Sequence, residues 1–461
     1  MCKLETKKTT LDKRLTEWLI ILTCFGYPLQ AMVVILLKVE PTPINIRFRS
    51  LYLLISLYLI FSRLIRKGPR PSKVLFVFIL FWAIYGMRLM YDLEIRGLTY
   101  MGYSKFYVYS WAFGCSFIPA WAVFLNADRI NLKRLVICLF IILILANIGI
   151  TGSMIHFSSQ GVAEILLSRF QLGIIVKGVS FLLINGISIS FYGELLCLAA
   201  LGFFIVYHKV ISLPISLLLW FAFVLGMFNL FAGASRGPMV SFILISLLIM
   251  IYSIVTVLSK LIRKRYTSKP RVTNYSFSNL VRISMTNAKI KRLMRTIMGP
   301  LIIMSVLYFI HGPRKLNFEM FRRMSATSEL RISEPMLDRV SIWQSSWSQF
   351  KEHPYVGDSF INNVSKIYSH NIILDSLMST GLLGTIPFLT YLAMPFLLFF
   401  QLNQRQKRDL AVIFILFLGA LLLYMTSGGL FTSAEFWILS ALIIGISSIK
   451  KQSRTVVQIE T

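Results

Sequence analysis

The sequence predicts an all-α fold, a polytopic membrane helix bundle of about twelve transmembrane helices with one large external loop holding a short amphipathic helix. Three observations predict it. The chain of 461 residues is 56% hydrophobic and carries 36 Phe, which excludes an ordinary soluble domain. Several apolar runs approach the ~20 residues that a helix needs to cross a hydrocarbon core. Lys and Arg fall unevenly between the loops, as membrane topology requires.

In chain order the expected segments are 18–37, 51–62, 74–91, 106–125, 132–150, 186–207, 211–232, 238–258, 297–310, 371–400, 411–426 and 435–449. The second, ninth and last are short, and the tenth is long enough to begin as a surface helix. Backbone groups in lipid must be satisfied within the segment, so runs of this kind are helices. With the N-terminus inside, loops 1–17, 62–73, 126–134, 208–210, 259–296, 401–410 and 450–461 are cytoplasmic. These hold 31 of the 48 basic residues, against 16 in the external loops, and Arg88 is left inside a helix. Both termini are then cytoplasmic. No cleaved signal peptide is expected, because no small-residue cleavage site follows the first apolar segment.

The chain divides into three parts. Residues 1–310 hold the first nine helices and a basic cytoplasmic loop at 259–296, which lacks acidic residues and suits anionic headgroups. Residues 311–370 form the large external loop, with three of the five histidines. Residues 371–461 hold the last three helices and a tail. The net charge of +29 is assigned to cytoplasmic loops and membrane lipids, not to nucleic acid. The five cysteines are scattered, without CxxC spacing, and read as small core residues.

Three stretches carry candidate chemistry. In "SEPMLDRVSIWQSSWSQFKEHPYVGDSF", Ser333 and Glu334 before Pro335 start a helix, and His353–Pro354 with Gly357 stop it. Arg339, Trp343, Trp347 and Phe350 fall on one side of it, as suits a membrane interface. Arg339 is then an interfacial anchor, or its planar fork of donors holds a diphosphate at headgroup depth. In "FAGASRGPMVSF", Arg236 lies in a tight external turn made by Gly233, Ala234 and Gly237, with Pro238 in the first turn of the next helix. Its anionic partner is a carboxylate such as Asp375 or Glu435, or a substrate phosphate.

The third stretch is "SHNIILDSLMSTGLLG". His370, Leu374, Leu377, Gly381 and Gly384 follow a 4-3-4-3 spacing and so share one helix face. Its two glycines permit close approach of another helix, which turns His370 toward the bundle interior. There it either helps Asn371 to cap the helix or accepts a proton from an attacking hydroxyl. No HExxH or acidic triplet with ligand spacing occurs, so neither a metal nor a cofactor is expected.

Together, "SRGPMVSF", "DRVSIWQSSWSQFKEHPYVGDSF" and "SHNIILDSLMSTGLLG" resemble the signature regions of the bacterial O-antigen ligase and O-antigen polymerase superfamily, in the same order. The chain departs from that pattern in "GDSF", which lacks a second glycine soon after Gly357, and in Ser379–Thr380, where an acidic residue often stands. The resemblance implies an inner-membrane, metal-independent inverting glycosyltransferase with a periplasmic active site. Its donor would be an undecaprenyl-diphosphate-linked glycan, its acceptor a lipid-linked repeat unit or lipid A–core. A chain-length regulator would be a further partner. By the same resemblance Arg236 and Arg339 bind the diphosphate, His370 is the catalytic base, and Trp343, Gly357 and Asn371 support the site.

Polymerase is preferred over ligase, because the Ile-, Ser-, Lys- and Asn-rich composition suits O-antigen clusters of low GC content. A flippase of lipid-linked oligosaccharides is the rival of another class. It should show repeated halves and interrupted helices in corresponding positions, and the sequence suggests neither.

Overall fold

The structure, a computed structural model, describes residues 2–68, 72–158, 165, 170–176, 179–207, 212–267 and 334–459. The expected ninth helix, 297–310, lies outside the described residues, as do 268–296 and 311–333 of the two long loops. What is described is mostly helical. Seven helical spans there are long and apolar enough to cross a membrane, and the chain is a multi-pass membrane protein.

The N-terminal helices are α1 (Cys2–Phe25), α2 (Tyr27–Leu37), α3 (Pro41–Lys67) and α4 (Lys73–Met90), the last running on as a π-helical turn, Tyr91–Ile95. Next come α5 (Lys105–Tyr109), a π-helical stretch at Ser110–Phe117, α6 (Ile118–Asn126) and α7 (Leu132–Phe157). The remaining helices are α8 (Gly186–Tyr207), α9 (Leu213–Ala232), α10 (Arg236–Thr267), α11 (Glu334–Glu352), α12 (Ile372–Gln401), α13 (Gln404–Tyr424) and α14 (Ala434–Ile459).

Four expectations need correction. Residues 1–17 are not a loop, because α1 is helical from Cys2 and buries Asp12, Thr16 and Glu17. The short second segment extends to Pro41–Lys67, which takes Arg49 inside the helix. An antiparallel hairpin, β1 (Leu172–Val176) with β2 (Val179–Ile184), occupies the 151–185 loop. The runs of β-branched and aromatic residues on either side of Lys177–Gly178 were its signal. Finally, two helices are interrupted. Thr10–Phe25 and Tyr27–Leu37 meet at 71° around Gly26, and α12 breaks at Gly381 (φ 56°, ψ −157°).

Lipid gives helices no hydrophobic reason to associate, so close packing and buried polar contacts hold the bundle. Gly193 of α8 and Gly226 of α9 let two backbones touch, since a Cβ on Gly193 would lie 2.5 Å from the Gly226 carbonyl oxygen. Asn229 donates to Asn147 Oδ1 at 2.7 Å, and Asn147 donates to the Tyr192 carbonyl at 3.0 Å, joining α7, α8 and α9. Phe81 of α4, Phe388 of α12 and Trp437 of α14 pack ring on ring.

Among the described residues, two groups of ion pairs stand out. In one, Asp12 accepts from Arg66 at 2.8 Å and Arg129 at 2.5 Å, Arg63 pairs with Asp128 at 2.9 Å, and Arg134 pairs with Glu17 at 3.2 Å. Segments 1–17, 62–73 and 126–134, which the charge count put on one side, therefore do meet. The other group holds the candidate site.

Candidate functional site

α11 contributes Arg339. Its polar face is fastened to the loop that follows: Asn362 donates to Ser345 at 2.7 Å and Ser346 at 2.8 Å, and Gln349 donates to Ser359 at 2.9 Å. These bonds set the rotation of the helix. Phe350 is buried and Trp347 is 47% exposed, so the expected stripe does not face one environment. Arg339 is half-buried and donates from Nη2 to the Ser427 hydroxyl at 3.2 Å. One turn on, Trp343 Nε1 is buried without a hydrogen-bond partner among the described residues.

The turn before Arg236 is built by α8. Ser190 Oγ accepts from the Ser235 N–H at 3.2 Å and donates to the Leu230 carbonyl at 3.0 Å. α10 begins at Arg236, with Pro238 in its first turn. Gly237 lies against the turn that ends α13: a Cβ on it would approach Thr426 Oγ1 to 3.0 Å and Ser427 Oγ to 3.9 Å. Of the carboxylates considered as partners for Arg236, Asp375 accepts from the Leu430 N–H at 2.8 Å and the Ser369 N–H at 3.4 Å. Glu435 accepts from the Tyr424 hydroxyl at 2.5 Å.

His370 is not on the face of α12. That helix begins at Ile372, and His370 takes a left-handed backbone conformation, φ 59°, two residues earlier. Asn371 is the cap. Its Oδ1 accepts from the Ile373 N–H at 3.0 Å and the Leu374 N–H at 3.1 Å, while Nδ2 donates to the Met425 carbonyl at 3.1 Å. His370 Nδ1 is buried with no hydrogen-bond partner among the described residues. Burial, with the Arg339 charge beside it, lowers the His370 pKa from 6.5 to about 4. The imidazole is therefore neutral near pH 7.

The glycines have a different partner from the one expected. A loop, not a helix, approaches Gly381. Leu382 and Leu383 donate their N–H groups to the carbonyls of Pro354 and Tyr355 at 2.8 and 3.0 Å, and Asp358 donates to the Met378 carbonyl at 2.9 Å. The backbone of 354–358 thus fills the break in α12. Gly357 is pressed against Ser379, whose carbonyl oxygen would be 2.5 Å from a Cβ. Gly384 lies against Thr380 of its own helix.

Arg88 holds this loop from the other side. It donates to the carbonyls of Val356, Gly357 and Asp358 at 3.0, 3.1 and 2.8 Å. Arg96 reaches the Asp358 carbonyl at 2.7 Å, and Asp92 Oδ2 accepts from the Phe360 N–H at 2.9 Å. The intrahelical arginine of the charge count is a clamp on the HPYVGD loop.

Arg339, Asn371 and Gly237 therefore converge on one turn, Met425–Thr426–Ser427. Sequence reading passed over it as the end of an apolar helix. The small polar run "TSGG" after Met425 was the available signal, because it admits close approach from several sides. His353, by contrast, is exposed, and His311 lies outside the described residues. Compared with models of protein families and with curated proteins, the chain matches none. The site's geometry and the three motifs are thus the grounds for a functional reading.

Proposed function

We propose that the protein is a membrane glycosyltransferase that polymerises undecaprenyl-diphosphate-linked repeat units, an O-antigen polymerase. The observation that carries this reading is the meeting of Arg339, the Arg236–Gly237 turn and the His370–Asn371 pair around Met425–Ser427. In this reading the bundle has about twelve spans, counting those outside the described residues, and sits in the bacterial inner membrane. Both termini are cytoplasmic, and loop 311–370 is periplasmic together with the site.

The chemistry follows from the residue types. Arg236 and Arg339 bind the diphosphate of the donor with charge-assisted hydrogen bonds. Neutral His370 takes the proton from an acceptor hydroxyl as its oxygen attacks the anomeric carbon. The bond from that carbon to the diphosphate breaks, the electron pair leaves with the lipid diphosphate, and the sugar centre inverts. A base held near pKa 4 by burial, and secondarily by a neighbouring cation, is weak in the free protein. The donor's negative charge would offset Arg339 and raise the basicity of His370 when substrate is present.

Ligation to lipid A–core would use the same groups, and the acceptor distinguishes the two. A flippase reading gains two interrupted helices from the structure. The break at Gly381, however, is filled by the backbone of 354–358 and held by Arg88. Deleting the gene in its host separates the outcomes on a lipopolysaccharide gel. Core bearing one repeat unit marks a lost polymerase, and bare core with accumulated lipid-linked polymer marks a lost ligase. Single repeat units retained on the cytoplasmic side would overturn the transferase reading.

A further inference from the structure

The segment "LTYMGYSKFYVY", residues 98–109, is absorbed by none of the chemistry above. Met101 and Gly102 are both left-handed (φ 49° and 75°), and Tyr103 donates its N–H to the Tyr100 carbonyl at 2.8 Å. That turn brings the two tyrosine rings together. Tyr368 stacks on Tyr100 (centroids 5.4 Å, planes 13° apart), Tyr100 on Tyr103 (6.2 Å, 23°) and Tyr103 on Tyr107 (4.4 Å, 17°). At one end the Tyr368 ring meets the His370 ring edge-on at 4.8 Å. At the other, the buried Arg49 guanidinium lies 4.9 Å from the Tyr107 centroid and 4.1 Å from that of Trp111.

The column leads from the proposed base to an exposed ring, Tyr103, and ends at Tyr107 beside Arg49. Tyr100 is buried, Tyr368 and Tyr107 are partly buried, and Tyr103 is 46% exposed. Tyrosines that only mark a membrane interface hold their rings at headgroup level and have no need to stack on one another. These are stacked on one another and end at the site.

We propose that the column Tyr368–Tyr100–Tyr103–Tyr107 is a glycan-binding track, which seats the sugars of the chain whose reacting end lies at His370. The inference rests on the glycosyl-transfer reading. Phenol rings suit the task because they are rigid, carry a hydroxyl that both donates and accepts, and through the exposed Tyr103 offer apolar surface to sugar C–H groups. They are also uncharged: burial raises the pKa of Tyr100 and of Tyr103. Acidic sugars and the diphosphate are therefore not repelled.

The test uses the full chain in lipid nanodiscs and the variants Tyr103→Ala, Tyr103→Phe and Tyr103→Trp. The probe is oligosaccharide of several repeat units, released by mild acid from the host's own surface polysaccharide and titrated by calorimetry. Tyr103→Ala should weaken binding on the order of tenfold with an unchanged thermal melt, and the ring-retaining variants should bind closer to wild type. In turnover assays Tyr103→Ala should raise KM for the lipid-linked repeat-unit acceptor far more than it changes kcat. Equal affinity of wild type and Tyr103→Ala, or no binding by wild type, would overturn the track. So would a Tyr103→Ala defect seen equally with sugar-free undecaprenyl diphosphate, which would mark a lipid contact. Tyr103-dependent binding without any sugar transfer would leave the track standing and remove the transferase reading.

Discussion

Arg339 and Ser427 are 88 residues apart in sequence, and their side chains meet at 3.2 Å. The contact holds one arm of a guanidinium, a planar fork of donors that suits a diphosphate better than an ammonium does. Arg339→Lys keeps the charge and loses the fork. It should lower turnover roughly 10- to 100-fold, the effect of one or two charge-assisted bonds. Ser427→Ala should cost only a few-fold. Single-turnover rates with lipid-linked donor, at matched protein levels, check both.

The pH response of His370 has a definite sign. Its pKa in the folded chain, about 4, lies below the ordinary 6.5, so the neutral form persists well into acid. Activity of the free enzyme should fall only as pH drops toward that value, seen as a low acid limb in kcat/KM. The same depression contributes stability that is fully present above 6.5 and is lost as pH falls from 6.5 through 4. Arg339→Gln removes one of the two causes and should move the imidazole titration upward, read by NMR of the ring protons. An unmoved titration would contradict the proximity of the two side chains. His370→Ala at normal protein levels should abolish polymer.

Asn371 has two duties that substitution can separate. Asn371→Ala removes the cap of α12 and the bond to the Met425 carbonyl, which should destabilise by about 1–2 kcal/mol. Asn371→Asp keeps the capping oxygen and loses the Nδ2 donor. Its melting temperature should stay closer to wild type while turnover falls, because His370 then loses its tie to the turn. Thermal melts in detergent alongside turnover distinguish the two.

Left-handed glycines should differ sharply in tolerance. Gly357→Ala combines a strained backbone, about 1–3 kcal/mol, with a Cβ 2.4 Å from the Ser379 carbonyl carbon. Gly381→Ala meets Tyr355 in the same way. Both should fail to accumulate as folded protein. Gly97→Ala has a similar φ of 63° but open space around it, and should lower stability by only about 1–2 kcal/mol. Size-exclusion profiles of the detergent-extracted variants decide this.

The helical character of the chain, most segment positions and the span Glu334–Glu352 were legible from the sequence. Length, apolar runs and capping residues act locally, within one or two turns, and lipid leaves the backbone few alternatives. Arg236, Arg339 and His370 stood out because charged or polar residues at the ends of apolar helices are costly without a partner. The face arithmetic that turned His370 inward failed. It assumed an unbroken helix from 370 to 384, whereas the chain is left-handed at His370 and interrupted at Gly381.

Only the tertiary structure decided what these residues meet. The Met425–Ser427 turn, the Arg88 clamp and the tyrosine column all join segments tens to hundreds of residues apart. Which backbones approach closely enough depends on the packing of the whole bundle, and helical periodicity within a segment cannot report it. The sequence by itself determined a membrane bundle of apolar helices and the types of group available for chemistry. Their meeting place was set by packing, because contacts between distant segments form only when the bundle closes.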